Sequence, residues 1–307
     1  MKILLIDGSN YLHRGHWAIV GTAGRKERLE TKDGFPTSGI KGMLNMLLTD
    51  IQMLKPDRVI VCHDVSSRDL WRSKIYPEYK RSPARLASKQ KAKDSGNNVY
   101  EQLPPMQKLL HYIGIRQART DGEEADDLIG TLAIEFASVG HRVLISSSDK
   151  DFGSVVSNRI KLVEAKTRTI LGPAQVKQKF GVHPEQMVEY LMLIGDSVDN
   201  IPGVVKCGPA TASKWLDKYG SIKNLLEHES DLTPVLRANL AVARKKFKLT
   251  RKLLTIKTNV VHTVTLENSA MQPADLVRLE RLCTRLELKQ AHTAILKMLE
   301  RSSEWKA

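Results

Sequence analysis

Short apolar runs recur along this chain, and each leads into an acidic residue. Ile3–Ile6 stops at Asp7, Arg58–Cys62 runs on to Asp64, and Arg142–Ser146 leads to Asp149. Runs this short, with no polar alternation, predict strands buried on both faces of a parallel sheet. Helical periodicity fills the gaps, over Gly39–Leu54 and Glu124–Ser138. Alternating strands and helices predict an α/β domain with a mostly parallel sheet, whose site lies at the carboxyl ends of its strands. The acids after the runs fall there.

The pattern changes twice. The segment 66–98 is strongly basic, carrying Arg68, Arg72, Lys74, Lys80, Arg81, Arg85, Lys89, Lys91 and Lys93 with Trp71, Tyr76 and Tyr79 interleaved. Ala84–Lys93 favours helix and Ser95–Asn98 reads as a loop, so the segment is expected to be a mobile basic excursion from the sheet. From Pro184 onward the chain reads as mainly helical. A short strand is expected at His262–Glu267, and one or two amphipathic helices at Pro273–Leu299. The expected division is an α/β core over 1–183 and a helical region over 184–307 packed on it.

Charge narrows the partner. Lys and Arg number 48 against 34 Asp and Glu, giving a net charge of +14 and a sequence pI of about 9.6. That favours a polyanion, foremost nucleic acid, over a surface of merely solvated lysines. A membrane surface is disfavoured, because no long helical pattern sets an apolar face against a basic one. With three cysteines far apart and no CxxC pair, neither a disulfide framework nor a zinc site is expected. The N-terminal apolar run is too short for a signal peptide and no stretch is long enough for a membrane helix, so a cytoplasmic location is expected.

Against that basic background the acids stand out. Glu123, Glu124, Asp126 and Asp127 open a helix; Asp149 and Asp151 follow a strand; Asp196 and Asp199 lie three apart. Each group alone is explained by a turn or a helix cap. Together, carboxylates crowded at one sheet edge need a cation, and oxygen-only ligands favour Mg²⁺ or Mn²⁺. Two such ions would activate water and stabilise the attacking and leaving oxygens of a phosphodiester. A second motif runs from Asn200 to Ala212, with Gly203 and Gly208 bounding a hairpin before a helix expected at Ala210–Tyr219. Glycines and free helix N–H groups suit phosphate contact, with Lys206 and Lys214 adding charge; the plain alternative is a helix–turn–helix junction. No GxxxxGK[ST] loop occurs, which leaves P-loop nucleotide hydrolysis unsupported.

IDGSN at the N-terminus, PEYKR at 77–81, GEEADDLIGTLA at 122–133, SSSDKDF at 146–152 and IGDSVDNIPGVVKCGPATA at 194–212 resemble the 5′ nuclease family, which includes phage flap endonucleases and the nuclease domain of DNA polymerase I. The resemblance implies a PIN-like α/β core with a helical arch at 66–98 and a helix–three-turn–helix at about 194–219. It also implies two-metal hydrolysis at DNA 5′ ends, flaps or nicks. Carried over, Asp7, Asp64, Glu124, Asp126 and Asp127 would serve one metal, and Asp149, Asp151, Asp196 and Asp199 the other. Glu123 matches no ligand. Arg14 and Lys80 match residues that contact the scissile phosphate, and Tyr79 an aromatic that stacks on a terminal base. Arg72, Arg81, Gly203, Lys206, Gly208, Thr211 and Lys214 are expected at the DNA, with K⁺ held by carbonyls of the hairpin. RNA in RNA–DNA hybrids is a further expected substrate, and the chain is expected to be a monomer. After Lys80 the family's usual arginine is displaced, and Arg81 or Arg85 is expected to replace it. The rival readings are an inactive structure-specific DNA-binding protein and a PIN-like ribonuclease.

Overall fold

The computed structural model describes the chain except residues 22–28, 66–69, 95–97, 165–166 and 305–307. Arg68 and most of the expected loop at 95–98 therefore lie outside the described residues, as do the side chains of Lys89, Lys91 and Lys93.

In chain order, β1 (Lys2–Asp7), α1 (Gly8–Val20), α2 (Ser38–Leu54) and β2 (Arg58–Cys62) come first. The basic segment holds α3 (Trp71–Ile75) and α4 (Pro83–Asp94), and α5 (Leu103–Ile113) follows it. Next are β3 (Arg116–Ala118), α6 (Ala125–Ser138), β4 (Arg142–Ser147), β5 (Ile160–Glu164) and β6 (Ile170–Leu171). The rest is helical: α7 (Pro173–Phe180), α8 (Met187–Ile194), α9 (Pro209–Tyr219), α10 (Ile222–Glu227), α11 (Pro234–Arg244), α12 (Phe247–Leu254), α13 (Leu276–Arg285) and α14 (Lys289–Glu304).

The sheet runs β3-β2-β1-β4-β5-β6. All pairs are parallel except β5 with β6. From β1 the chain builds outward on one side through β2, then returns to the other side of β1 as β4. At that reversal the connections leave in opposite directions, and a crevice opens above the carboxyl ends of β1 and β4. Asp7 and Asp149 stand at its lip.

Strand side chains alternate between two cores. Ile3, Leu5, Ile60, Val143 and Ile145 face α6 and the helices from α8 to α12. Leu4, Ile6, Val59, Val61 and Leu144 face α1, α2 and α5. The last two helices return to this second face, where Leu279, Cys283, Ile295 and Met298 are buried. Helices α1 and α2 cross at Gly15 and Gly42; a Cβ on Gly42 would lie 2.2 Å from the Gly15 carbonyl oxygen. That close approach fixes α1 directly after Asp7.

The strand expected at His262–Glu267 is not formed. Its backbone groups are taken by local side chains instead: Val264 N–H bonds the His262 ring at 3.2 Å, and Asn268 accepts from Thr265 N and donates to the Thr263 carbonyl. Short polar side chains here compete with ladder pairing for the backbone groups.

Candidate active site

Asp7 ends β1 and caps α1, accepting from Asn10 N–H at 2.9 Å and from the Ser147 hydroxyl at 3.1 Å. Asp64, after β2, accepts from Ala125 N–H at 2.9 Å and so caps α6 from outside that helix. Asp149, after β4, accepts from Asp151 N–H at 2.9 Å. In the loop after α8, Asp196 accepts from the N–H groups of Val198 and Asp199 and from Lys150 at 2.6 Å. Asn10 and Ser148 tie the start of α1 to the loop beyond β4. Four separate elements thus bring acids to one edge.

These acids disturb one another. Burial, then Asp64, pushes the Asp7 carboxyl up to about 7, with Asp149 adding to the effect. Burial, then Asp149 and Asp7, raises Asp126 well above the carboxylate range. Burial and Asp149 do the same to Asp151, whose Oδ1 is buried without a hydrogen-bond partner. Among the described residues no three His, Cys, Asp or Glu converge closely enough to hold one ion in this geometry. The orphaned oxygen and the all-oxygen donor set nevertheless fit a hard divalent cation, which would relieve both repulsion and desolvation.

Other acids of the same clusters behave differently. Asp127 is fully buried. Arg72 grips both its oxygens at 2.6 and 2.8 Å, Trp71 Nε1 donates at 2.9 Å, and Lys257 N–H donates at 2.9 Å. Both its oxygens are taken by the chain's own donors, which sets it apart from the other expected metal ligands. Arg72, expected at the DNA, is only 4 % exposed and bonds Glu124, Asp127 and the carbonyls of Leu253 and Thr255. Glu123, the expected bystander, pairs with Lys257 at 2.7 Å. The Lys257 ammonium and the Arg72 guanidinium lie 4.5 and 4.4 Å from the Trp71 ring centre.

Cations line the other side of the crevice. Lys80 sits at φ 56° and Asn200 at φ 61°. Such left-handed non-glycine residues cost on the order of 1 kcal/mol or more each. The loops that hold them are joined: Lys80 N–H donates to the Asp199 carbonyl, Asn200 Nδ2 to the Glu78 carbonyl, and the Tyr76 hydroxyl to the Asn200 carbonyl. Lys80 Nζ pairs with Glu124 and lies 3.9 Å from Asp199. Burial works against its charge, but Glu124 and Asp199 more than offset it and raise its pKa. Arg85, on the first turn of α4, bonds the Val198 carbonyl at 3.1 Å and lies 3.8 Å from Asp199, whereas Arg81 is exposed. Arg14 leaves a buried Nε without a partner. Glu164 is lowered first by Lys179 and in smaller measure by Arg14, so Arg14 acts toward the end of β5.

Tyr79, expected to stack on a terminal base, is packed among the acids. It is 4 % exposed, and its hydroxyl donates to Asp199 at 2.8 Å and approaches Glu124 at 3.1 Å. In this arrangement the ring presents no open face to solvent. In the hairpin, Gly203 serves packing: a Cβ would lie 2.4 Å from Gly195 N. Gly208 is open and exposed, and α9 begins after it with no side-chain cap. The Lys206 and Lys214 side chains are exposed, and Thr211 is half-buried beside them on α9.

A family model for the N-terminal resolvase-like domain of 5′-3′ exonucleases matches residues 2–181. One for their C-terminal SAM fold matches 182–276. The chain belongs to the 5′-3′ exonuclease family. It is 32 % identical to a 5′-3′ exonuclease of Aquifex aeolicus over 305 residues, 99 % of each chain. Against DNA polymerase I of Pseudomonas aeruginosa it is 34 % identical over 266 residues, 84 % of this chain but 27 % of that one. Among solved structures, a zinc-bound T5 5′-exonuclease matches with TM-score 0.68 at 16 % identity over 99 % of both chains. The catalytic core of Rad2 bound to DNA matches at 0.57 and 15 % identity, over 97 % of this chain and 91 % of that one. These two likenesses show the fold.

Proposed function

We propose that this 5′-3′ exonuclease family member is a metal-dependent 5′ nuclease that cuts DNA at 5′ ends and flaps. The observation that carries the reading is the unneutralised acid group of Asp7, Asp126, Asp149 and Asp151 at the sheet's switch point, faced by Lys80 and Arg85. Asp7, Asp64, Asp126 and the Glu124 oxygen now given to Lys80 would hold one divalent ion. Asp149, Asp151, Asp196 and Asp199 would hold the other. Bound there, Mg²⁺ or Mn²⁺ would supply charge stabilisation and an activated water.

The chain's own residues position the substrate. Lys80, aimed inward by its left-handed backbone, neutralises the scissile phosphate as negative charge develops on it. Arg85 does the same from α4, which fills the place of the displaced family arginine. Arg14 offers an unpaired N–H to a phosphate on the strand beside α1. The uncapped N-terminus of α9, with Lys206 and Lys214, takes the duplex backbone without reading bases.

Labelled 5′-flap DNA, blunt duplex and a matching RNA, each incubated with Mg²⁺ or with EDTA, test this. Mg²⁺-dependent release from the flap or duplex is expected. Cleavage of RNA alone would favour a PIN-like ribonuclease, and binding without cleavage would favour an inactive DNA-binding protein.

A further inference from the structure

We infer that the buried carboxylate of Asp50, with Arg168 as its counter-charge, is a positioning unit for the acid group: it ties α1 to β4 behind Asp7 and Asp149 and fixes how far apart those two stand. The inference rests on the nuclease reading above. It concerns residues that no sequence motif singles out and that stand behind the acids, not among them.

Asp50 lies on α2 and is fully buried in the second core, as are Tyr11 of α1 and Ser146 of β4. One carboxylate oxygen, Oδ2, accepts from the Tyr11 hydroxyl and from the Ser146 hydroxyl, the latter at 2.8 Å. The other, Oδ1, accepts from the Arg168 guanidinium. Each hydroxyl has one proton, and the carboxylate takes both. Arg168 comes from the turn between β5 and β6 with a left-handed backbone, φ 60°, which a non-glycine residue adopts only where its surroundings hold it. Its N–H donates to the Glu164 carbonyl at 2.8 Å, and Glu164 N–H donates to the Thr169 carbonyl at 3.0 Å. Helices, sheet and turn thus meet at a single buried carboxylate.

The network reaches the acids through the chain itself. Tyr11 is about one helical turn beyond Asp7, which caps α1. Ser146 precedes Ser147, whose hydroxyl donates to Asp7 at 3.1 Å and accepts from Asp149 N–H at 3.1 Å. The pleat sends these two serines to opposite faces of β4, so one holds the network and the other holds the acids. Asp7 and Asp149 are like charges, and their repulsion pushes α1 and the end of β4 apart. The outer tie across that gap, Asn10 to Ser148, is exposed; the Asp50 tie is dry. Apolar side chains of similar volume would join these elements as stably as a buried ion pair. They would not hold them at one spacing, which a fully satisfied buried hydrogen-bond network does.

The test compares the full wild-type chain with two variants. Tyr11→Phe removes one hydroxyl and keeps the ring. Asp50→Leu combined with Arg168→Leu removes the tie without leaving an unpaired charge in the core, and repeats the reading should the first variant not fold. Circular dichroism sets a temperature at which the proteins are folded. The Mn²⁺ affinity of the DNA-free chain is read by electron paramagnetic resonance, and kcat and KM for a 5′-flap DNA are read separately with Mg²⁺. Each variant is expected to lose about 10-fold in Mn²⁺ affinity and about 10-fold in kcat, the lower end of what disturbing the groups behind metal ligands costs, with KM for DNA unchanged. Wild-type Mn²⁺ affinity in a folded variant overturns the inference even if kcat falls, because the acids would then be in place. A rise in KM with kcat unchanged overturns it too, as the network would then serve DNA binding. A wild type that cuts no DNA with Mg²⁺ sinks the nuclease reading instead, and the Mn²⁺ affinities still decide whether the network positions the acids.

Discussion

Asp126 and Asp127 are neighbours at the start of one helix, yet they belong to two different acid groups. Asp127 lies in a buried ion cluster with Arg72, Trp71 and Lys257, and the fold satisfies both its oxygens. Asp126 points toward Asp149 and Asp7, and burial with their repulsion raises its pKa. Glu124 stands between them, with Arg72 on one oxygen and Lys80 on the other. Carboxylates matched by the chain's own cations are structural, and those left in mutual repulsion are the ones that call for a cation from solution.

That contrast makes its strongest demand at Arg72. Arg72→Ala leaves Asp127 buried with no counter-charge, and chemical denaturation should show a loss of about 3–5 kcal/mol. A loss near the value for a surface pair would remove the structural half of the distinction. The other half rests on Asp149. Asp149→Asn is expected to cut Mg²⁺-dependent flap cleavage by about 100-fold, or about 2.7 kcal/mol, while the metal-free chain melts no lower than wild type. A lower melting temperature would place Asp149 with Asp127.

pH separates the groups next. The Asp7 carboxyl is raised to about 7 in the fold against 3.8 when unperturbed. Between those values the folded chain binds more protons than the unfolded one, so stability falls as pH rises through this window. The metal-free protein should melt a few degrees higher at about pH 5.5 than at about pH 8, Asp7→Asn should reduce the difference while Asp126 and Asp151 keep the remainder, and added Mg²⁺ should oppose it at the higher pH. The smallest effect belongs to Glu123, whose pair with Lys257 is partly exposed. Glu123→Gln should cost about 0.5 kcal/mol in thermal unfolding and leave cleavage unchanged. A clear loss of cleavage would make it part of the site.

The legible and illegible parts of the site divide along physical lines. Asp7, Asp64 and Asp149 were readable because an acid following a short apolar run must lie at the carboxyl edge of a parallel strand. Asp196 and the hairpin were readable from their glycines and the resemblance they carry. Spacing placed Asp126 and Asp127 alike, because it reports which helix turn a residue occupies but not which element packs against it. Arg72 read as one more cation in a basic segment, since nothing local shows that Leu253 and Thr255 close over it.

The sequence by itself determined the α/β class, the strand-end acids, the basic partner surface and the family, because these depend on short-range pattern and composition. Tertiary structure decided which charges neutralise one another. It drew Arg72 and Lys257 onto α6, buried Tyr79, and set Lys80 and Arg85 beside Glu124 and Asp199. Electrostatic pairing falls off over a few ångströms, and the partners here are separated by as many as 134 positions of chain, a separation that no local pattern encodes.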